Sequence, residues 1–109
     1  MTCRQFNLRV YGLLLNSRKE VLLSDESRFG HEFTKFPGGG LELGEGTVEA
    51  VKREFQEELS IGVTPGRHLY TTDFFIASAF DSTQQVISIY YQVFYPHCLL
   101  YTSPSPRDA

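Results

Sequence analysis

Gly39 to Ile61 reads GGLELGEGTVEAVKREFQEELSI, and its two halves obey different rules. The first half, with Pro37 and Gly38 ahead of it, is a glycine-rich loop that no regular element tolerates. The second half, Thr47 to Leu59, repeats apolar residues with the period of an α-helix. Thr47 is the expected N-cap, and Glu49 suits the positive end of the helix dipole. On that helix Val48, Val51, Phe55 and Leu59 share one arc, which must face a sheet. Glu54, Glu57 and Glu58 form a second arc at its edge, while Glu49, Lys52 and Gln56 face water.

Most acidic runs on helices are solvated faces. A glutamate that stabilises such a face usually has Lys or Arg three or four residues away. Glu57 has Arg53, but Glu54 and Glu58 have no such neighbour. The pairs 54/57 and 54/58 repel, by roughly 0.2–0.5 kcal/mol each on a bare helix. A bound divalent cation offsets that repulsion. The cluster holds neither His nor Cys, so its oxygen ligands suit Mg²⁺, or Mn²⁺, rather than zinc. Gly38, Gly39 and Gly40 let the backbone approach a ligand closely, so that a carbonyl completes the metal shell. This is not a P-loop, because Gly46-Thr47 lacks the lysine that reaches a phosphate.

Working outward, Phe6 to Leu15 is rich in β-formers, with Leu8, Val10, Gly12 and Leu14 on one face. It reads as a strand buried on both sides, with Arg9 as the odd residue. A turn at Asn16–Lys19 leads to a short strand, Val21 to Ser24, then a polar loop through Gly30, then a strand from His31 to Phe36. After the helix, Thr64-Pro65-Gly66 reads as a turn. Two long β-rich runs follow, His68 to Phe80 and Gln84 to Tyr95, joined at Asp81-Ser82-Thr83 as an antiparallel hairpin. The expectation is one α+β domain with a mixed β-sheet.

Composition narrows the partners. The 109 residues are 41% hydrophobic and 21% charged, with net charge −3 and pI near 5.5. That is a globular mixture, and its basic residues gather no further than Arg18-Lys19 and Lys52-Arg53. A nucleic acid polymer is therefore not expected as partner. No apolar run approaches the roughly 18 residues that span a membrane, and the N-terminus lacks an apolar secretion segment. A cytoplasmic protein acting on a small phosphorylated substrate fits, and a homodimer is compatible with this reading. Cys3 and Cys98 match no metal or redox spacing.

Taken together, these residues resemble the Nudix hydrolase superfamily. Its signature is G, five residues, E, seven residues, then R-E-U-x-E-E-x-G-U, where U is a bulky apolar residue. The chain supplies Gly39, Glu45 and Arg53-Glu54-Phe55-Gln56-Glu57-Glu58-Leu59-Ser60-Ile61, departing only at Ser60. Serine in the left-handed position just past a helix costs about 1 kcal/mol. The resemblance implies an α/β/α sandwich around a mixed sheet. It also implies water attack on a phosphorus of a diphosphate linkage in a nucleoside diphosphate derivative. In that scheme Glu54, Glu57 and Glu58 ligate Mg²⁺ with the carbonyl of Gly39 or Gly38, Arg53 orients the glutamates, and Glu45 pairs with Arg53. Some family members draw their base from a later loop, where Asp73 and Asp81 are the acids available here. The rival readings are a nucleotide-sensing domain, which often loses box glutamates, and an isomerase on the same fold.

Substrate contacts are read from position. Arg9 is either half of a buried ion pair or a phosphate contact. Lys35 and Phe36, beside the glycine loop, are candidates to hold a phosphate and stack on a base, with a core role weighing for Phe36. Of the adjacent Tyr90 and Tyr91, one faces the core and the other is placed to line a pocket. The final stretch, residues 98–109, resembles a translated sequencing-library adapter and is set aside as non-native. Residues 1–97 are then expected to form a Nudix domain truncated at its C-terminus, where the family often places a sheet-covering helix, and so to be weakly active.

Overall fold

Strand β1 spans Gln5–Leu14 in the computed structural model, which describes residues 2–95. It is the hub of the molecule. On one side it pairs antiparallel with β4 (Gly38–Gly40), and on the other it runs parallel to β6 (Gln84–Phe94). Strand β5 (Thr64–Thr71) adds antiparallel to β6, giving the mixed order β4-β1-β6-β5. A parallel neighbour demands a crossover, and the chain between β1 and β6 supplies it. It contains the hairpin β2 (Ser24–Arg28) and β3 (His31–Lys35), then β4, helix α1 (Thr47–Leu59) and β5. Among the described residues α1 is the one helix, and it is neither long nor apolar enough to cross a membrane.

The core lies between α1 and one sheet face, where Val10, Leu14, Ala50, Val51, Phe55, Val63 and Val93 are buried together. Gly12 makes room for it: a Cβ there would stand 2.5 Å from the Phe55 ring. The expectation that β1 is buried on both sides does not hold. Phe6, on the same face as Val10 and Leu14, is 67% exposed because α1 reaches only the C-terminal half of the strand. Arg9, Tyr11 and Leu13 on the opposite face are only partly buried. The second helical layer of a sandwich has no counterpart among the described residues. The stretch 98–109, Cys98 and the boundary drawn after residue 97 lie outside them.

Several boundaries move, each for a physical reason. The N-cap is Gly46, not Thr47, and Glu49 accepts a hydrogen bond from the Gly46 N–H at 2.7 Å. The Thr47 hydroxyl instead meets the Tyr91 hydroxyl at 2.6 Å, tying the helix start to β6. The buried helix residues are Ala50, Val51, Glu54 and Phe55, while Val48 is exposed. The helix is thus rolled so that Glu54 lies on the buried face rather than at its edge. At the other end Ser60 itself adopts the left-handed conformation, φ 58°.

The expected strand Val21–Ser24 reduces to one bridge, Leu15 to Val21. The Asn16 side chain fixes the preceding turn by accepting from the Arg18 and Glu20 N–H groups. The true hairpin strands follow, closed by a two-residue turn in which Phe29 (φ 52°) and Gly30 (φ 79°) are both left-handed, as the strand twist prefers. β5 begins at Thr64, through the expected Thr64-Pro65-Gly66 turn. As the sheet edge it tolerates Pro65, with a register shift between Pro65 and His68. The run 72–80 is not strand but connection, touching β6 through the Ala77–Gln85 bridge. Asp81 shapes its end by accepting from the Thr83 N–H and hydroxyl.

Candidate active site

Arg53 stands where the glycine loop crosses the buried side of α1. Its Nε and Nη2 donate to the two Glu45 carboxylate oxygens at 2.9 and 2.7 Å, the two-pronged pairing that a guanidinium makes best. Nη2 also donates to the Gly40 carbonyl at 2.9 Å. Nη1 donates to Glu54 at 2.9 Å and to Glu57 at 3.2 Å, with Glu42 3.6 Å away. One side chain therefore fastens the loop to the helix and gathers two of the three box glutamates.

Glu54 is the most enclosed of the three, 9% exposed. Its carboxylate lies against the backbone of Gly39, where a Cβ would come within 2.5 Å of Oε2. Burial pushes its pKa up, Arg53 opposes, and the charges of Glu58 and Glu57 add to the rise. Glu57 and Glu58 are exposed. Glu58 is not without a cation, as its helix neighbours suggested. Lys35 arrives from β3 and places Nζ 3.3 Å from Glu58 Oε2, while also donating to the Gly38 carbonyl at 3.0 Å. Glu54, likewise, is met by Arg53 from the adjacent position, a reach that helical spacing rules leave out. Among the described residues, no three His, Cys, Asp or Glu side chains are gathered as they stand in a group that would hold a metal ion.

Glu45 behaves oppositely to Glu54. Its hydrogen bonds from Arg53 hold its pKa below the ordinary value of 4.5. A carboxyl depressed on folding adds stability that is present above its unfolded pKa and is lost as pH falls through the folded value. Glu45→Gln should therefore flatten the acid side of the stability–pH curve below about pH 4.5. Urea unfolding across that range is the measurement, and an acid side as steep as that of the parent contradicts this role.

Beyond Lys35 the surface opens into a cleft of about 500 Å³ on the sheet face away from α1. Its walls are β1 and β6, the β2–β3 hairpin and residues 76–81. Arg9 and Lys35 line it, together with Arg28, Phe29, Phe33 and Phe80. Arg9 Nε donates to the Tyr11 hydroxyl at 2.8 Å, and no carboxylate among the described residues pairs with it, so the buried-ion-pair alternative finds no partner. Phe80 packs against Phe29 and Phe33 at centroid distances of 5.5 and 5.9 Å, with the Arg28 guanidinium 5.0 Å over its ring. Phe36 does not line the cleft; it meets the edge of Tyr90, which stacks on Tyr11 at 5.4 Å. Tyr91 lies on the other side, toward Thr47. Asp73 accepts from the Tyr70 hydroxyl and Asp81 is tied up by Thr83, so neither carboxylate is free.

Sequence reasoning missed Arg28, Phe29, Phe33 and Phe80. They come from two separated segments, and the one local signal was the Phe29-Gly30 pair as a hairpin turn.

The NUDIX domain model matches residues 5–107, a span that takes in part of the 98–109 stretch. Over 56 residues the chain is 39% identical to the 8-oxo-dGTP diphosphatase of Escherichia coli (strain K12), covering 50% of this chain and 42% of that protein. The solved MutT protein from Methanosarcina mazei Go1 is similar with TM-score 0.67 and 29% identity, over 82% of this chain and 63% of that one. A NUDIX hydrolase from Nitrosomonas europaea gives TM-score 0.64 and 25% identity, over 84% and 62%. The chain thus spans less than two thirds of each of these proteins.

Proposed function

The chain belongs to the NUDIX domain family, and from that premise we propose that it hydrolyses a diphosphate linkage in a small nucleoside diphosphate derivative, in the cytoplasm. The observation that carries this reading is the junction at Lys35. This side chain touches the acidic helix through Glu58 and at the same time lines the cleft, so a phosphate chain lying in the cleft runs directly to the glutamates.

Nudix hydrolases generally use divalent metal ions, and the donor set here suits Mg²⁺ or Mn²⁺. Glu54, Glu57, Glu58 and the carbonyl of Gly39 or Gly38 are hard oxygen donors, and Glu54 is a buried carboxylate pressed by two like charges. When bound, the ion neutralises phosphate oxygens and lowers the pKa of the attacking water. The rest falls to the chain itself. Arg53 holds Glu54 and Glu57 in place and pins Gly40, so that the loop carbonyls stay fixed. Arg9 and Lys35 supply positive charge to the phosphates. Phe29, Phe33 and Phe80 offer apolar ring faces, and Asn7 and Gln84, hydrogen-bonded at 3.1 Å on the cleft wall, offer amide groups. Water attacks phosphorus, the bridging P–O bond breaks, and the leaving phosphate departs with that oxygen.

8-oxo-dGTP is the first compound to try, because a 39% identical stretch belongs to a diphosphatase of that nucleotide. The test is a release assay for phosphate and pyrophosphate over nucleoside triphosphates, nucleotide sugars and dinucleotides, with Mg²⁺ or with chelator. Turnover that requires Mg²⁺ and falls about a hundredfold in Glu57→Gln is the expected result. Turnover indifferent to that substitution overturns the assignment, and nucleotide binding without any turnover supports a sensing domain instead.

A further inference from the structure

Lys35 is unusually committed for a lysine. Its side chain is 14% exposed, and Nζ donates to the Gly38 carbonyl at 3.0 Å, the Phe36 carbonyl at 3.4 Å and Glu58 Oε2 at 3.3 Å, with Glu26 3.8 Å away. Two of these acceptors, Gly38 and Glu58, are oxygens proposed above for the divalent cation. The ammonium therefore rests where a metal would need to draw its ligands. The same side chain lines the cleft, 5.9 Å from the centre of the Tyr11 ring. We propose that Lys35 is a resident counter-cation: it occupies the metal's oxygen ligands while the ion is absent, and swings into the cleft to meet the substrate's phosphates once the ion binds.

This rests on the metal reading given above, and the physics is that of like charges in a partly dry site. A divalent ion drawn onto Glu58 and Gly38 repels an ammonium held at contact distance by the same groups, and that repulsion favours the lysine's departure. Lysine suits the part because its point charge sits on a flexible stem and retains no fixed geometry. Leaving the ligands costs the ammonium its partners, and an anionic phosphate in the cleft restores one. Metal and substrate then favour each other beyond any contact they share, and this coupling is reciprocal.

The measurement is Mn²⁺ affinity without substrate, by the loss of the free-ion paramagnetic resonance signal. The variants are Lys35→Met and Lys35→Arg, with circular dichroism melts in chelator to establish that each is folded. Lys35→Met should bind Mn²⁺ about tenfold more tightly than the parent, and Lys35→Arg within about threefold of it. At saturating Mn²⁺, Lys35→Met should bind a non-hydrolysable nucleoside triphosphate analogue about tenfold more weakly. If the parent binds Mn²⁺ and Lys35→Met binds it equally or less tightly, the counter-cation role is wrong while the metal reading stands. A parent chain that binds no Mn²⁺ removes both. Should Lys35→Met not fold, Lys35→Gln keeps the comparison, since it too removes the charge.

Discussion

Arg53→Ala is expected to destabilise the protein by about 2–3 kcal/mol, short of what a fully buried pair costs because the Arg53 side chain is 21% exposed. The reasoning runs through what is left behind. Glu54 stays enclosed against Gly39, beside the charges of Glu57 and Glu58, with its attractive partner gone. Its carboxyl is already held above the ordinary value by burial, with Arg53 working against the rise, so the substitution raises it further. For a carboxyl raised on folding, the ionised form is the penalised one. The penalty grows as pH climbs from the unfolded pKa through the folded value, and shrinks as pH falls back. The deficit of Arg53→Ala should accordingly be largest near neutral pH and smaller toward pH 5. Against a total stability of about 5–15 kcal/mol for a domain, the loss is severe. Arg53→Lys should recover only part of it, because an ammonium cannot donate to both Glu45 oxygens and the Gly40 carbonyl while also reaching Glu54. Urea unfolding of the three proteins at two pH values decides the matter. A deficit below about 1 kcal/mol would show that Glu54 is solvated and that Arg53 is an ordinary surface ion pair.

The same residues show how far the sequence could be read. Helix α1 was legible because its period, its glycine loop and its charged positions all agree, and β1 because it is rich in β-formers. What the period could not supply was the helix roll. Glu54 is placed on the buried face by Gly39, whose missing side chain leaves the space the carboxylate fills, and that is a contact across fifteen positions. The pairing of Lys35 with Glu58 spans 23 positions and leaves no local trace, so counting helical neighbours wrongly left Glu58 alone. The β2–β3 hairpin was only half legible: β3 matches the expected strand His31–Phe36, while β2 escaped. β2 stands out in solvent with a polar sequence, so there is no alternation of apolar and polar residues to detect. The hairpin strands Ser24–Arg28 and His31–Lys35 nevertheless build one wall of the cleft.

Gly38→Ala should be the most damaging substitution of a single methyl group in the site, and its cause is different from that of Arg53→Ala. A Cβ at Gly38 would collide with the Val10 carbonyl oxygen, 2.7 Å from Tyr11 Cα and 2.8 Å from its ring. The first two obstacles are backbone, so nothing can rotate away; β4 must separate from β1. That pairing, Val10 to Gly39 and Tyr11 to Gly38, is what holds the loop carbonyls over α1. We expect a loss of about 3 kcal/mol or more, with the proposed hydrolysis falling in parallel because Gly38, Gly39 and Lys35 shift together. Two other glycines separate this steric cause from mere backbone freedom. Gly44 has φ +93° but open space around it, so Gly44→Ala should cost only about 1 kcal/mol of conformational strain. Gly62 has neither a positive φ nor a neighbour within 4 Å, so Gly62→Ala should change stability by about 0.5 kcal/mol at most. Thermal and urea melts of the three variants should fall in the order 38, 44, 62 by size of effect. Were Gly38→Ala no worse than Gly44→Ala, β4 would be free to move off β1, and the loop would not be the rigid half of the site that Arg53 and the glutamates require.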